Sequence, residues 1–190
     1  MLLKGSFLAW LRPHSPGHWL SFVTGCFGAA QQPSVTLTAY DETGWIQRLS
    51  DLEGRRMTTQ SNVALVGDAY AAFGSGDLRK LLSLMTSDIV WEFPASKVIP
   101  WAGTFTGVGE VARFFAALME HSEPEAFEPL HFIASEDRVV VLGRERFRVK
   151  STGLMWACEW AHAFTMRDGK IAGFREYTDT AAMNSAFGRG

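Results

Sequence analysis

MWACEWAHAFTMRDGKIAGFREYTD, residues 155–179, is the stretch whose reading decides the fold. On either side of Arg167-Asp168-Gly169, side chains alternate with a period of two, the pattern of two strands joined by a tight turn. A three-residue loop ending in glycine fits a type I turn followed by a G1 bulge. With that loop Met166 pairs with Lys170, Trp160 sits opposite Glu176, and His162 sits opposite Phe174. Opposed residues of an antiparallel pair share a face. Cys158, Trp160, His162 and Phe164 therefore join Phe174, Glu176 and Thr178 on one face. Ala161, Ala163, Arg175, Tyr177 and Asp179 take the other. A two-residue loop would separate His162 from Glu176.

Working outward, Arg138–Lys150 reads as a long strand, with Glu136-Asp137 and the turn Ser151-Thr152-Gly153 at its ends. Leu130–Ser135 reads as the strand before it. Three helices are expected upstream. Val66, Ala69, Tyr70 and Phe73 recur at helical spacing over residues 61–74, ended by Gly74-Ser75-Gly76. Asp77 is placed to cap a short helix carrying Leu78, Leu81, Leu82 and Met85. Ile89-Val90-Trp91-Glu92-Phe93 is a strand stopped by Pro94. A loop over Ala95–Gly109 holds Trp101 and Phe105. The third helix runs from about Glu110 to His121, burying Val111, Phe114, Phe115, Leu118 and Met119. Thr180–Phe187 fits one helical turn. Helices first and an antiparallel meander after them make the class α+β.

The 190 residues carry 18 basic and 20 acidic side chains, a net charge of −2, which leaves no electrostatic footprint for nucleic acid or an anionic membrane. No apolar run is long enough to span a bilayer. Two cysteines support neither a disulfide framework nor a cysteine-rich zinc site, and no Gly-rich phosphate loop or paired-His motif is present, so neither metal nor cofactor is expected. Residues 1–56 lack a sustained period and are broken by Pro13, Pro16 and Gly17. They read as a poorly ordered upstream extension, as a start codon placed too early would produce, with the organised domain over residues 57–190. With no secretory signal in view, the expected location is the cytoplasm.

Four pieces, in this order and spacing, resemble the SnoaL-like branch of the nuclear transport factor 2-like superfamily over residues 60–187. They are Tyr70–Phe73 with Gly76-Asp77, Ser87–Pro94, Ala102–Gly107 with Val111–Phe115, and Asp168–Ile171 leading to Phe174–Asp179. The resemblance implies a cone-shaped α+β barrel: a curved antiparallel sheet wrapped around the N-terminal helices, with an internal pocket for a small apolar molecule. It also implies a homodimer through the outer face of the sheet. Relatives include isomerases, cyclases, hydrolases, dehydratases and non-catalytic binding proteins, so the fold fixes a pocket and leaves the reaction open.

The face bearing Trp160, His162 and Glu176 is expected to point into that pocket, because it joins aromatic walls to a few polar groups. His162 and Glu176 look like counterparts of the His and Asp that SnoaL-like cyclases use on this hairpin, with Glu in place of Asp. A His beside a desolvated carboxyl suits proton transfer near neutral pH; such a pair also occurs as a satisfied structural contact in a core. Trp91, Phe93, Trp101, Phe105, Trp160 and Phe174 are candidate walls, with His131, Tyr177 and Asp179 as further candidate contacts. Arg175 and Asp179 also fit ion pairs on the sheet surface. Glu145, among Arg144, Arg146 and Arg148, fits a solvated strand face, and Cys158 reads as a small buried residue. The resemblance does not carry the ketosteroid isomerase residues with it, and steroid isomerisation is not expected: Phe93 stands where that enzyme's base precedes proline, and Cys158 falls near its oxyanion-hole Asp. Two functions remain. One is a cofactor-independent isomerase, cyclase or hydratase acting on a small apolar substrate. The other is a non-catalytic ligand-binding or dimerisation module.

Overall fold

A computed structural model describes residues 42–188. Helix α1 runs over Glu42–Gly74, followed by α2 (Leu78–Ser83), β1 (Met85–Phe93), β2 (Gly103–Thr106) and α3 (Val108–His121). The strands β3 (Ser122–Ser135), β4 (Arg138–Val149), β5 (Met155–Arg167) and β6 (Lys170–Thr178) form the meander, and α4 (Thr180–Ala186) closes the described chain. The six strands lie in one sheet in the order β2-β1-β6-β5-β4-β3. The sheet is curved and unclosed, and the α+β cone is the fold that the sequence implies. It is mixed where an antiparallel sheet was expected, because β1 lies parallel to β6.

The α1 helix is longer than the periodicity indicates. A domain boundary at 56/57 would fall inside it, and the expectation for residues 1–41 lies outside the described residues. The sequence hides residues 42–60 because the apolar side chains described there turn away from the core. Ile46, Leu49 and Leu52 are exposed there, so that part of the helix rests on good helix formers such as Gln47, Arg48 and Arg55. Packing begins at Val66, Ala69 and Ala72, which are buried, while Tyr70 and Phe73 pack against the same core. Asp77 caps α2 as expected, its carboxylate accepting from the Lys80 N–H at 2.9 Å. In α3 the buried set is Val111, Phe114, Phe115 and Leu118, and Met119 lies outside it, exposed.

The last hairpin reaches its register by a different route. Asp168 (φ 51°) and Gly169 (φ 69°) form a two-residue turn between the paired Arg167 and Lys170. Left-handed backbone at both central positions is the type I′ geometry that Asp-Gly favours. Taken alone this turn would put His162 and Glu176 on opposite faces. A bulge near Ala172 restores the phase, since Met166 pairs with Ile171 but Thr165 pairs with Gly173. The faces are therefore as expected, with pairings displaced by two residues: Trp160 lies opposite Thr178, and His162 lies directly opposite Glu176.

The concave face of the sheet holds the core. Along β4, Val139, Val141, Gly143, Glu145, Phe147 and Val149 point inward; along β5, Trp156, Trp160, His162, Phe164 and Met166 do so. The outer face carries exposed ion pairs, Arg144 with Glu128 (2.6 Å) and Arg146 with Glu125 (3.4 Å). Such pairs add little stability, about 0–1 kcal/mol each. Among the described residues no helix is long and apolar enough to cross a membrane.

Candidate functional site

A cavity of about 70 Å³ lies between the sheet and the helices. Ala69, Tyr70 and Phe73 reach it from α1, and Leu81 from α2; Phe115 and Leu118 reach it from α3. Trp91, Phe93, Phe147, Trp156 and Phe174 supply aromatic walls from the strands, and Met183 of α4 closes one end. The polar groups on its lining are Tyr70, Glu145, His162 and Glu176, together with the indole N–H groups. Its volume is about half that of an engineered apolar cavity that accepts benzene, roughly 150 Å³, so a ring-sized ligand requires its walls to move. A surface groove of about 690 Å³ shares Tyr70, Phe73, Leu81, Phe115 and Phe127 with the cavity, so these five side chains line both spaces.

His162 is held on three sides. Its ring stacks on Trp160 (3.8 Å between centroids, 17° between planes), meets Phe174 edge to face at 4.9 Å, and has Nδ1 2.9 Å from the Tyr70 hydroxyl. Nε2 lies 3.5 Å from Glu176 Oε2, longer than a hydrogen bond. Trp160 is fixed in turn by Gly143. A Cβ there would come within 2.2 Å of Trp160 Cζ2 and 2.6 Å of the Glu128 carbonyl oxygen, so only glycine lets the indole lie across β4.

The contact between His162 and Glu176 is not an ion pair at neutral pH. Burial pushes the Glu176 carboxyl up to about 8 and drives the His162 imidazole down to about 3, the Glu145 charge pulling the latter upward more weakly. Desolvation of both groups outweighs their attraction, which leaves a neutral acid beside a neutral imidazole. Burial and the Glu176 charge also raise the Tyr70 phenol above the usual tyrosine range, so its proton stays on.

Glu145 is the residue that sequence reasoning misplaced. It is buried, 8% exposed, on the cavity side of β4, where Trp156 Nε1 donates to its Oε1 at 2.9 Å and Cys158 Sγ lies 3.6 Å from the same oxygen. Burial, then the charge of Glu176, pushes it up to about 7, and the Trp156 hydrogen bond pulls it down. Its three arginine neighbours in sequence point the other way. The signal was in the alternation: Glu145 is in phase with Val139, Val141, Phe147 and Val149. Tyr70, the other missed group, shows in sequence only as one residue of a helix face.

Of the expected contacts, Trp91, Phe93, Trp101, His162, Phe174 and Glu176 line the cavity, and Trp160 stands behind His162. Four lie elsewhere. Phe105 packs on the far side of Phe114 at 5.5 Å. His131 is exposed, because the bulge at Pro129/His131 and the outward phase of β3 turn it from the core. Tyr177 is exposed on the outer face under the Arg175 guanidinium. Asp179 is the N-cap of α4, accepting from the Ala181 and Ala182 N–H groups at 3.0 Å. Arg175 pairs across the sheet with Glu92 at 2.9 Å. Cys158 is half-buried, its sulfur 3.1 Å from the Thr178 hydroxyl. Among the described residues no three His, Cys, Asp or Glu side chains gather as metal ligands.

Residues 66–174, more than half of the chain, match the model of the SnoaL-like domain. The structure is similar to that of an NTF2-like protein from Burkholderia xenovorans LB400, at 39% identity and a TM-score of 0.64, over 69% of this chain and 98% of that one. It is also similar to TerC co-crystallised with polyporic acid, at 27% identity and a TM-score of 0.61, over 67% of this chain and 98% of that one. A putative polyketide cyclase from Pseudomonas putida KT2440, 17% identical, shares the fold with a TM-score of 0.53 over 64% of this chain and 94% of that one. No curated protein matches the sequence.

Proposed function

This chain belongs to the family of SnoaL-like domains, and we propose that it binds a small, largely apolar molecule in its cavity and moves protons on it without a cofactor. Glu176 is the acid, and neutral His162 relays protons between Nε2, which faces Glu176, and Nδ1, which faces Tyr70. The observation that carries this reading is the chain Tyr70–His162–Glu176, buried at the wall of an aromatic cavity with His162 locked by Trp160. A carboxyl kept protonated at neutral pH by its apolar surroundings can donate a proton where an exposed one has already lost it. The reaction class is isomerisation, cyclisation or hydration. The five side chains shared by groove and cavity are the entry route. TerC, co-crystallised with polyporic acid, supports the reading of this cavity as a site for a small organic molecule.

We infer a homodimer through the outer sheet face, where Leu142, Ala161 and Tyr177 stand in one row across β4, β5 and β6. Native mass measurement checks it, a monomer refuting it. The cytoplasm is the proposed location.

Catalysis is tested by following cyclohex-3-enone in D2O by NMR. The wild type should move the double bond and incorporate deuterium. His162→Ala and Glu176→Gln should lower kcat at least about 100-fold with KM within threefold. Binding of the probe without turnover in the wild type would reduce the protein to a ligand-binding module.

A further inference from the structure

Glu145 and Glu176 are two carboxyls on the wall of one cavity, brought there by β4 and β6 from opposite sides of β5. Trp156 and Cys158 of β5 hold Glu145 directly, the charges of Glu176 of β6 and His162 of β5 act on it, and Tyr70 of α1 lines the same cavity. No lysine or arginine lines the cavity among the described residues. Burial without a cation, with the charge of Glu176 acting on Glu145, disfavours ionising both, so the pair holds one charge and one proton at neutral pH. The hydrogen bonds decide which member is charged. Glu145 Oε1 faces two donors, the Trp156 N–H and the Cys158 S–H, while Oε2 receives none among the described residues. Glu176 receives no such hydrogen bond among the described residues; His162 Nε2 lies 3.5 Å from its Oε2. Donors stabilise the carboxylate, so the charge belongs on Glu145 and the proton on Glu176.

We propose that Glu145 is a second catalytic group of the same site, the base that takes the substrate's proton while Glu176 supplies one, and that the substrate is an uncharged carbonyl compound with an acidic C–H bond. This rests on the reading of Glu176 as the acid. The cavity holds no cation to bind an anionic group, and its single negative charge repels one. Its remaining donors suit a carbonyl oxygen: the Glu176 O–H, and the Trp91 Nε1–H, which is buried without a partner on a cavity-lining side chain. In the step, Glu145 Oε2 takes the proton next to the carbonyl. The C–H pair becomes a C=C bond, the carbonyl π pair moves to oxygen, and that oxygen takes the Glu176 proton. The product is an enol, with Glu145 protonated and Glu176 ionised. Where a C=C bond lies one carbon further on, as in cyclohex-3-enone, the enol is a dienol: its O–H pair re-forms the carbonyl as that proton returns to Glu176, the two C=C bonds shift to one conjugated with the carbonyl, and the far carbon takes the Glu145 proton, which gives the conjugated ketone and restores both groups.

The order of ionisation is read by carbon-13 NMR of the glutamate carboxyls between pH 5 and 9, assigned with Glu145→Gln and Glu176→Gln. Glu145 should ionise first in the wild type, and at lower pH once Glu176 is Gln. In the cyclohex-3-enone assay, Glu145→Gln should lose at least about 100-fold in kcat with KM within threefold. Glu145→Asp, should the Gln variant fail to fold, should be at least tenfold slow. Glu176 ionising first, or full exchange activity in Glu145→Gln or Glu145→Asp, overturns the base role. Loss of activity on changing Glu176 but not Glu145 overturns it while sparing the reading of Glu176. No exchange by the wild type overturns both.

Discussion

Replacing Glu176 with Gln should make the protein more stable at neutral pH, a gain that vanishes in acid. The unfolded chain ionises Glu176 near the ordinary value of 4.5, whereas the folded chain holds the proton up to about 8. A raised carboxyl contributes its full stability below pH 4.5 and loses it as pH climbs toward 8, because the unfolded state releases a proton that the native state keeps. Each pH unit in that window costs about 1.4 kcal/mol. Between pH 4.5 and 7 the loss is therefore on the order of 3 kcal/mol, a large share of a typical domain's stability. Gln keeps the shape of the neutral acid and has no proton to lose. His162 works in the opposite window: its depressed value adds stability above pH 6.5 that is lost as pH falls toward 3. That contribution is common to both proteins and cancels in the difference. Urea unfolding of wild type and Glu176→Gln at pH 4.5, 6, 7 and 8 reads the effect, with midpoints converted through a common m-value. The variant's advantage should grow with pH. A difference that stays constant across the series, or a variant that falls further behind above pH 6, would refute the claim that burial keeps this carboxyl neutral.

Gly143→Ala should cost a few kcal/mol in urea unfolding and shift the fluorescence of Trp160, because the new Cβ meets both the indole and the rigid Glu128 carbonyl; an unchanged midpoint would show that the indole can move aside. Tyr70→Phe should destabilise the fold by about 1–3 kcal/mol, by leaving His162 Nδ1 without its partner, and should move the nitrogen-15 shifts of His162; unmoved shifts would show that the contact is not a hydrogen bond in solution. Asp179→Ala should cost about 1 kcal/mol through loss of the α4 cap while leaving ligand affinity intact, and a large loss of affinity would return Asp179 to the pocket.

Period-two alternation assigned the faces of β5 and β6, and helical spacing assigned the buried sides of α1 and α3, because burial of an apolar face is what both patterns record. The same logic explains the failures. Ile46, Leu49 and Leu52 at the front of α1 are exposed, so that stretch leaves no periodic trace. The β6 bulge is invisible because a bulge adds one residue without changing composition. A turn read one residue too long and a bulge not foreseen cancelled to a whole period, which is why the faces survived although the pairings did not. His131 and Tyr177 look alike in sequence as polar aromatics at strand positions, and only the phase of each strand against the cone decides that both face outward.

Glu145 shows how a functional candidate can be hidden by its own chemistry. A charged residue among three arginines reads as surface, since burying an ion without a partner is costly. Here that inference fails because the premise of a fixed charge fails. Inside the cavity the carboxyl shares its ionisation with Glu176 and takes donors from Trp156 and Cys158, neither of which is near it in sequence. The arginines balance Glu125 and Glu128 on the far face, so they provide no clue to its environment. The strand's phase does provide one. Every second residue from Val139 to Val149 is buried, and a lone acid in such a row must either disrupt the core or be kept there by what the cavity does. Phase therefore carries more weight than local charge in locating a titratable group on a strand that lines a pocket.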